Sequence, residues 1–276
     1  MVLEEFFKVD LKRRPYFAFF FGFAFSLAGL LAAYLLFRST LSVAMVFFTT
    51  MLLVPAFVKL IKEEEQLESR HGLKHFFTNH KGIYESYIFA FLGVFSAFVI
   101  IGMITYGTPL NQEIFSFQSD FLKVGPENVE EFMESEPYSA SHFISLSSHN
   151  LIVLVVCFVL SFIFGASAIF LIILNGSIFA SFIVFLVKTL TTDLAQSVKA
   201  IGFFLIHLLP EISGFMIAAI AGGVISKAIM HEQRGTIRFQ NVFKDAFVLM
   251  LIATMLILVG AFLETFVSST LFRVSF

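Results

Sequence analysis

The apolar residues of this chain gather into nearly unbroken runs of about 20, the length that a hydrocarbon core of about 30 Å requires of a helix rising 1.5 Å per residue. Such runs lie at 17–37, 41–61, 83–106, 200–229 and 246–271, and a longer block extends from 142 to 187. With no water to satisfy backbone N–H and C=O groups, spans of this length must be helices. Composition excludes the competing fold. A soluble domain has about a quarter of its residues charged, whereas this chain has 14% charged and 58% hydrophobic residues. The expected fold is therefore all-α: a polytopic transmembrane helical bundle forming a single domain over residues 1–276.

The block from 142 to 187 is too long for one span and reads as a helical hairpin. Gly165 divides it into two full spans, 142–164 and 166–187. A break at Asn175-Gly176, a strong turn signal, is the alternative and leaves a short second helix. Seven spans result. The first follows Lys8, Lys12, Arg13 and Arg14, lacks a small-residue cleavage site, and reads as a retained helix.

Charge sets the expected orientation. Segments 1–16, 59–82 and 227–244 hold thirteen of the eighteen Lys and Arg residues. Basic segments stay in the cytoplasm, and with seven spans these three fall on one side. The N-terminus is then cytoplasmic and the C-terminus extracytoplasmic, in a cell membrane. Loop 107–141 carries Glu113, Asp120, Glu127, Glu130, Glu131, Glu134 and Glu136 against Lys123 alone. It reads as an extracytoplasmic loop of about 35 residues, either a solvated linker or a small cap. Segment 62–82 reads as a short charged cytoplasmic helix. There His71 and His75, four apart with His80 close by, could share a metal, although no carboxylate or Cys is evidently placed to complete a site. A solvated face is the plainer reading. The lone Cys157 allows no intrachain disulfide. No phosphate-binding loop, nucleotide motif or basic array suited to nucleic acid is present, and no cofactor is expected.

Ionisable groups inside spans are costly and usually face the bundle interior. His207 and Glu211 lie four apart on the sixth span, and so on one face. The same face continues through Gly214, Ala218, Gly222 and Ser226, small residues that let a neighbouring backbone approach. Pro210 removes one ladder donor between them and is a candidate start for a second helical piece. Glu264 near the end of the seventh span, and His149 and Asn150 near the start of the fourth, fall at the same depth. Asn175 lies nearer the midplane. These residues form either a functional polar cluster or a set of packing contacts. The spacing supplies no catalytic motif: His-Glu-x-x-His and Gly-x-Ser-x-Gly are both absent.

Ser148-His149-Asn150, Gly165, Leu174-Asn175-Gly176, His207-x-x-x-Glu211 with Gly222-Gly223, and Ala261-Phe262-Leu263-Glu264 together resemble the stage II sporulation protein M family, particularly its archaeal members. The likeness runs from about Ser147 to Phe266. Where that family often has Asn-Asn and His-Gly, this chain has His149-Asn150 and His207-Leu208. The resemblance implies a multi-pass membrane protein. The bacterial relatives act in a membrane-anchored complex during forespore engulfment, as a scaffold for cell-wall-degrading partners. Three functions are therefore expected, in this order. The first is a scaffold or complex subunit in the bilayer, assembling with other membrane proteins or with itself; small faces such as Gly22, Ser26, Gly29 and Ala33 on the first span suit it. The second is a transporter using His207, Glu211 and Glu264 for protons or cations. The third is an intramembrane enzyme.

Overall fold

The structure is a computed structural model that describes residues 10–71, 76–122, 139–164, 169–190, 193–233 and 235–275. Every regular element among them is helical: α1 (Phe17–Leu36), a single 3₁₀ turn (Arg38–Thr40), α2 (Leu41–His71), α3 (Phe76–Thr105), α4 (Pro109–Leu122), α5 (Ala140–Phe164), α6 (Ile169–Leu190), α7 (Leu194–His231), α8 (Ile237–Leu263), a π-helical turn (Glu264–Ser268) and α9 (Ser269–Ser275). Seven of these, α1, α2, α3 and α5 to α8, are long and apolar enough to cross a membrane. The protein is an all-α membrane bundle.

Local chemistry fixes the ends. Asp193 caps α7 by accepting from the Gln196 N–H at 2.8 Å, and Thr236 caps α8 by accepting from the Phe239 N–H at 3.3 Å. Gly107 after α3 and Gly235 before α8 turn the chain at φ of 79° and 87°, a region open to glycine at no steric cost.

Several helices outrun their apolar stretch. The 31 residues of α2 span about 46 Å, because the backbone ladder continues past Ile61 without a break. Residues 62–71 are thus the end of α2 rather than a separate charged helix. Likewise α7 runs unbroken from Leu194 to His231 with Pro210 inside it, so no second helical piece starts there. Asn175 and Gly176 lie within α6, and the chain does not turn at them. The break read at Gly165 lies outside the described residues.

Packing groups α1 with α2 and α3, and α7 with α5 and α8; α6 lies on α3, and α2 touches α6, α7 and α8 to join the groups. The three basic segments meet at one end. There Ser86 Oγ donates to the Leu11 carbonyl at 3.0 Å, Asn241 Nδ2 donates to the Ser69 carbonyl at 3.5 Å, and His231 lies 3.8 Å from Glu65. At the opposite end Arg38 pairs with Glu113 at 3.3 Å. The first part of segment 107–141 is α4, which packs on the bundle by burying Ile114 and Phe115. Its buried Gln118 accepts from Ser42 Oγ at 2.5 Å and donates to Ser177 Oγ at 3.0 Å, tying α4 to α2 and α6. Glu127, Glu130, Glu131, Glu134 and Glu136 lie outside the described residues.

Candidate functional site

The polar layer sits where α5, α7 and the end of α8 converge. Asn150 on α5 and Glu211 on α7 are both buried, and Asn150 Nδ2 donates to Glu211 Oε1 at 2.8 Å. Glu211 lies across Gly260 of α8. A Cβ at position 260 would collide with Glu211 Cγ, so only glycine leaves room for the carboxylate there. One turn further along, part-buried Glu264 stands close enough to interact with the Glu211 charge. Glu264 opens the π-helical turn; the Ser269 N–H and hydroxyl both go back to its carbonyl. Such turns recur at functional sites because they re-aim side chains. This one brings Ser268 to His207, whose Nδ1 lies 3.0 Å from Ser268 Oγ. Phe204 stands edge-on to the His207 ring at 5.0 Å between centroids.

His207 and Glu211 therefore share a face but serve different partners. His207 meets the π turn, and Glu211 meets α5 and Gly260. Not every residue expected in this layer joins it. His149 is exposed on the outer side of α5, because one residue along a helix turns the side chain through about 100°. Asn175 is part-buried on α6, and no hydrogen bond links it to His207 or Glu211 among the described residues. The small stripe of α7 makes the close approaches that its composition permits: Gly214 faces the Ala253 carbonyl of α8, and Gly222 faces the Phe158 carbonyl of α5. Ala218 is fully buried between them, and Ser226 is part-buried.

A match to the family described as Stage II sporulation protein M covers residues 88–269. The chain belongs to that family. No curated protein and no solved structure matches it. The stage II sporulation protein M match takes in α5 to α8, and with them all of the polar layer.

A second buried polar group lies at the basic end, and three of its residues precede the family match. Glu64 and Glu68 of α2 and His80 of α3 are 0%, 0% and 7% exposed. The His71 side chain and His75 fall outside the described residues. The charges of segment 62–82 are thus not all on a solvated face: Glu64, Glu65 and Glu68 turn inward, while Lys62, Gln66 and Arg70 face out. A signal was available. Phe57, Leu60, Ile61, Glu64 and Glu68 follow three- and four-residue spacing, so the buried face of α2 simply continues into its glutamates.

Proposed function

We propose that this stage II sporulation protein M family protein is a scaffold or complex subunit of the cell membrane, its N-terminus cytoplasmic and its C-terminus extracytoplasmic. The supporting observation is the mutual bonding of the polar layer. Asn150 bonds to Glu211, His207 meets Ser268, and Gly260 closes over the Glu211 side chain. A substrate pathway needs polar groups that face a water-filled cavity, whereas these groups hold α5, α7 and α8 to one another. The family relationship and the lack of a catalytic motif point the same way. The gathering of basic segments 10–14, 59–71, 76–82 and 227–244 at one end supports the orientation, because basic loops stay inside.

The test is affinity purification of the full chain from native membranes in mild detergent, with chemical crosslinking beforehand. A scaffold returns stoichiometric partner proteins or a defined homo-oligomer; a lone monomer under both conditions contradicts the reading. The transport alternative draws on one observation, the adjacency of Glu211 and Glu264. Glu211→Gln separates the two, since an amide oxygen still accepts from Asn150 but cannot titrate. Assembly unaffected by Glu211→Gln fits the scaffold. Proton-coupled flux in reconstituted vesicles that is abolished by Glu211→Gln fits transport.

A further inference from the structure

The group at the basic end has the composition and geometry of a metal site. Glu64 and Glu68 are one turn apart on α2, and His80 faces them from the first turns of α3. One ligand atom from each lies within 4.8 Å of the others. His80 Nδ1 is 2.8 Å from Glu64 Oε1 and 3.4 Å from Glu68 Oε1. Metal–ligand bonds of about 2.0–2.2 Å in a tetrahedral site set ligand atoms about 3.3–3.6 Å apart, so this trio needs little rearrangement to close on an ion.

A second, independent observation points to a ligand. Neither oxygen of Glu68 accepts a hydrogen bond among the described residues, although the residue is 0% exposed. Asp245, from α8, is also 0% exposed, and neither of its carboxylate oxygens has a hydrogen-bond partner among the described residues. Its charge acts on His80, Glu64 and Glu68. A buried carboxylate with no hydrogen-bond partner is costly, and a bound cation is one way to offset that cost. Among the described residues Lys12 pairs with Glu64.

We propose that Glu64, Glu68 and His80, with the charge of Asp245 on α8 beside them, bind one divalent transition-metal ion that ties α2 and α3 together at the basic end of the bundle. An imidazole among carboxylates favours Mn²⁺, Fe²⁺ or Zn²⁺ over Mg²⁺ or Ca²⁺, which take oxygen ligands alone. A surface cleft of about 270 Å³, lined by Asp10, Lys12, Arg13 and Glu63 among others, opens beside Lys12.

The test uses the full chain in detergent, stripped with chelator and then titrated with Mn²⁺ and Zn²⁺, with Mg²⁺ as the comparison. Binding is followed by calorimetry and by metal analysis after gel filtration. One equivalent of Mn²⁺ or Zn²⁺ is expected, raising the unfolding temperature, with Mg²⁺ at least tenfold weaker. Glu68→Gln should lose binding, and Asp245→Asn should weaken it about 10–100-fold, the range for groups that support or complete a site. Removing His71 and His75 together should leave affinity unchanged. If Glu68→Gln fails to fold, the wild-type titration and Asp245→Asn still decide. The proposal is overturned if the stripped wild type takes up no stoichiometric metal, or if folded Glu68→Gln and Asp245→Asn bind as the wild type does. It is also overturned if the double histidine variant alone abolishes binding.

Discussion

One substitution made twice on the same helix tests the packing of α7 directly. At Gly222, an added Cβ would run into the Phe158 carbonyl of α5 and come within 3.0 Å of both the Phe162 amide nitrogen and Ser161 Cβ. Two of these three atoms belong to the α5 backbone and cannot swing aside, so the helices must separate. At exposed Gly202, also within α7, the same Cβ meets nothing within 4 Å. Both Gly→Ala changes bring the same gain in helix propensity, about 1 kcal/mol, and that gain cancels when the two variants are compared. What remains is the overpacking cost, about 1–3 kcal/mol. If α5 shifts enough to stretch the Asn150–Glu211 bond, a membrane hydrogen bond of about 0.6 kcal/mol is lost as well. Gly202→Ala should therefore be neutral or slightly stabilising. Gly222→Ala should lie below it by about 1–3 kcal/mol, a factor of about 5 to 160 in the folding equilibrium. Reversible unfolding in mixed micelles, monitored by circular dichroism, measures the gap. If the two variants are equally stable to within a few tenths of a kcal/mol, the close approach of α5 and α7 at Gly222 is wrong.

Three further outcomes follow from individual contacts. Gly260→Ala should displace Glu211 and break its bond to Asn150, so Asn150→Ala, worth about 0.6 and at most about 1.7 kcal/mol alone, should cost almost nothing in that background. A double-mutant cycle reads the difference. Gln118→Leu strips Ser42 Oγ of its acceptor while Ser177 keeps its 2.7 Å bond to the Leu174 carbonyl. A loss of about 1–3 kcal/mol is expected, together with weaker cysteine crosslinking between α4 and α2. Tyr84→Phe removes the 2.7 Å bond to Ser213 Oγ between α3 and α7 and should cost about 0.5–1.5 kcal/mol in the same unfolding assay.

The spans were readable because hydropathy and the bilayer act on the same scale, about 20 residues at a time. In the structure Asn150, Glu211 and Glu264 lie close to one another. Lateral position was not readable, because it depends on which helices pack together. His149 differs from Asn150 by a single residue yet is exposed, and Asn175 rides on α6, which lies against α3. The basic end was misjudged for another reason. Taking each span to end where charge begins places Glu64 and Glu68 in solvent. A helix face does not stop at the membrane boundary, and α2 keeps the same side buried from Phe57 to Ser69. The small-residue faces carry a related lesson. Gly22 rests on the Ala90 carbonyl of α3, Gly29 on Thr49 and Met45 of α2, and Gly222 on α5. These faces are occupied by the chain's own helices, so they lend no weight to assembly with a partner.

The two buried polar groups share one helix. Asp245 stands near the start of α8, and Glu264 immediately follows its end. Nineteen residues separate them, about 28 Å along the axis. If α8 moved as a rigid lever, loosening one end would be felt at the other, and the two groups would act as one device. The packing argues otherwise. Between its ends α8 lies along α7, with Leu249, Ala253 and Ile257 buried, so a disturbance at Asp245 is absorbed before it reaches Gly260. Substitutions at distant sites without shared partners add to within about 0.3–0.5 kcal/mol. Asp245→Asn combined with Asn150→Ala should therefore cost the sum of the two single changes, in the metal-free protein and in the presence of Mn²⁺ alike. A coupling clearly above 0.5 kcal/mol, or one that appears only with metal, would show that α8 transmits strain from the basic end to the polar layer.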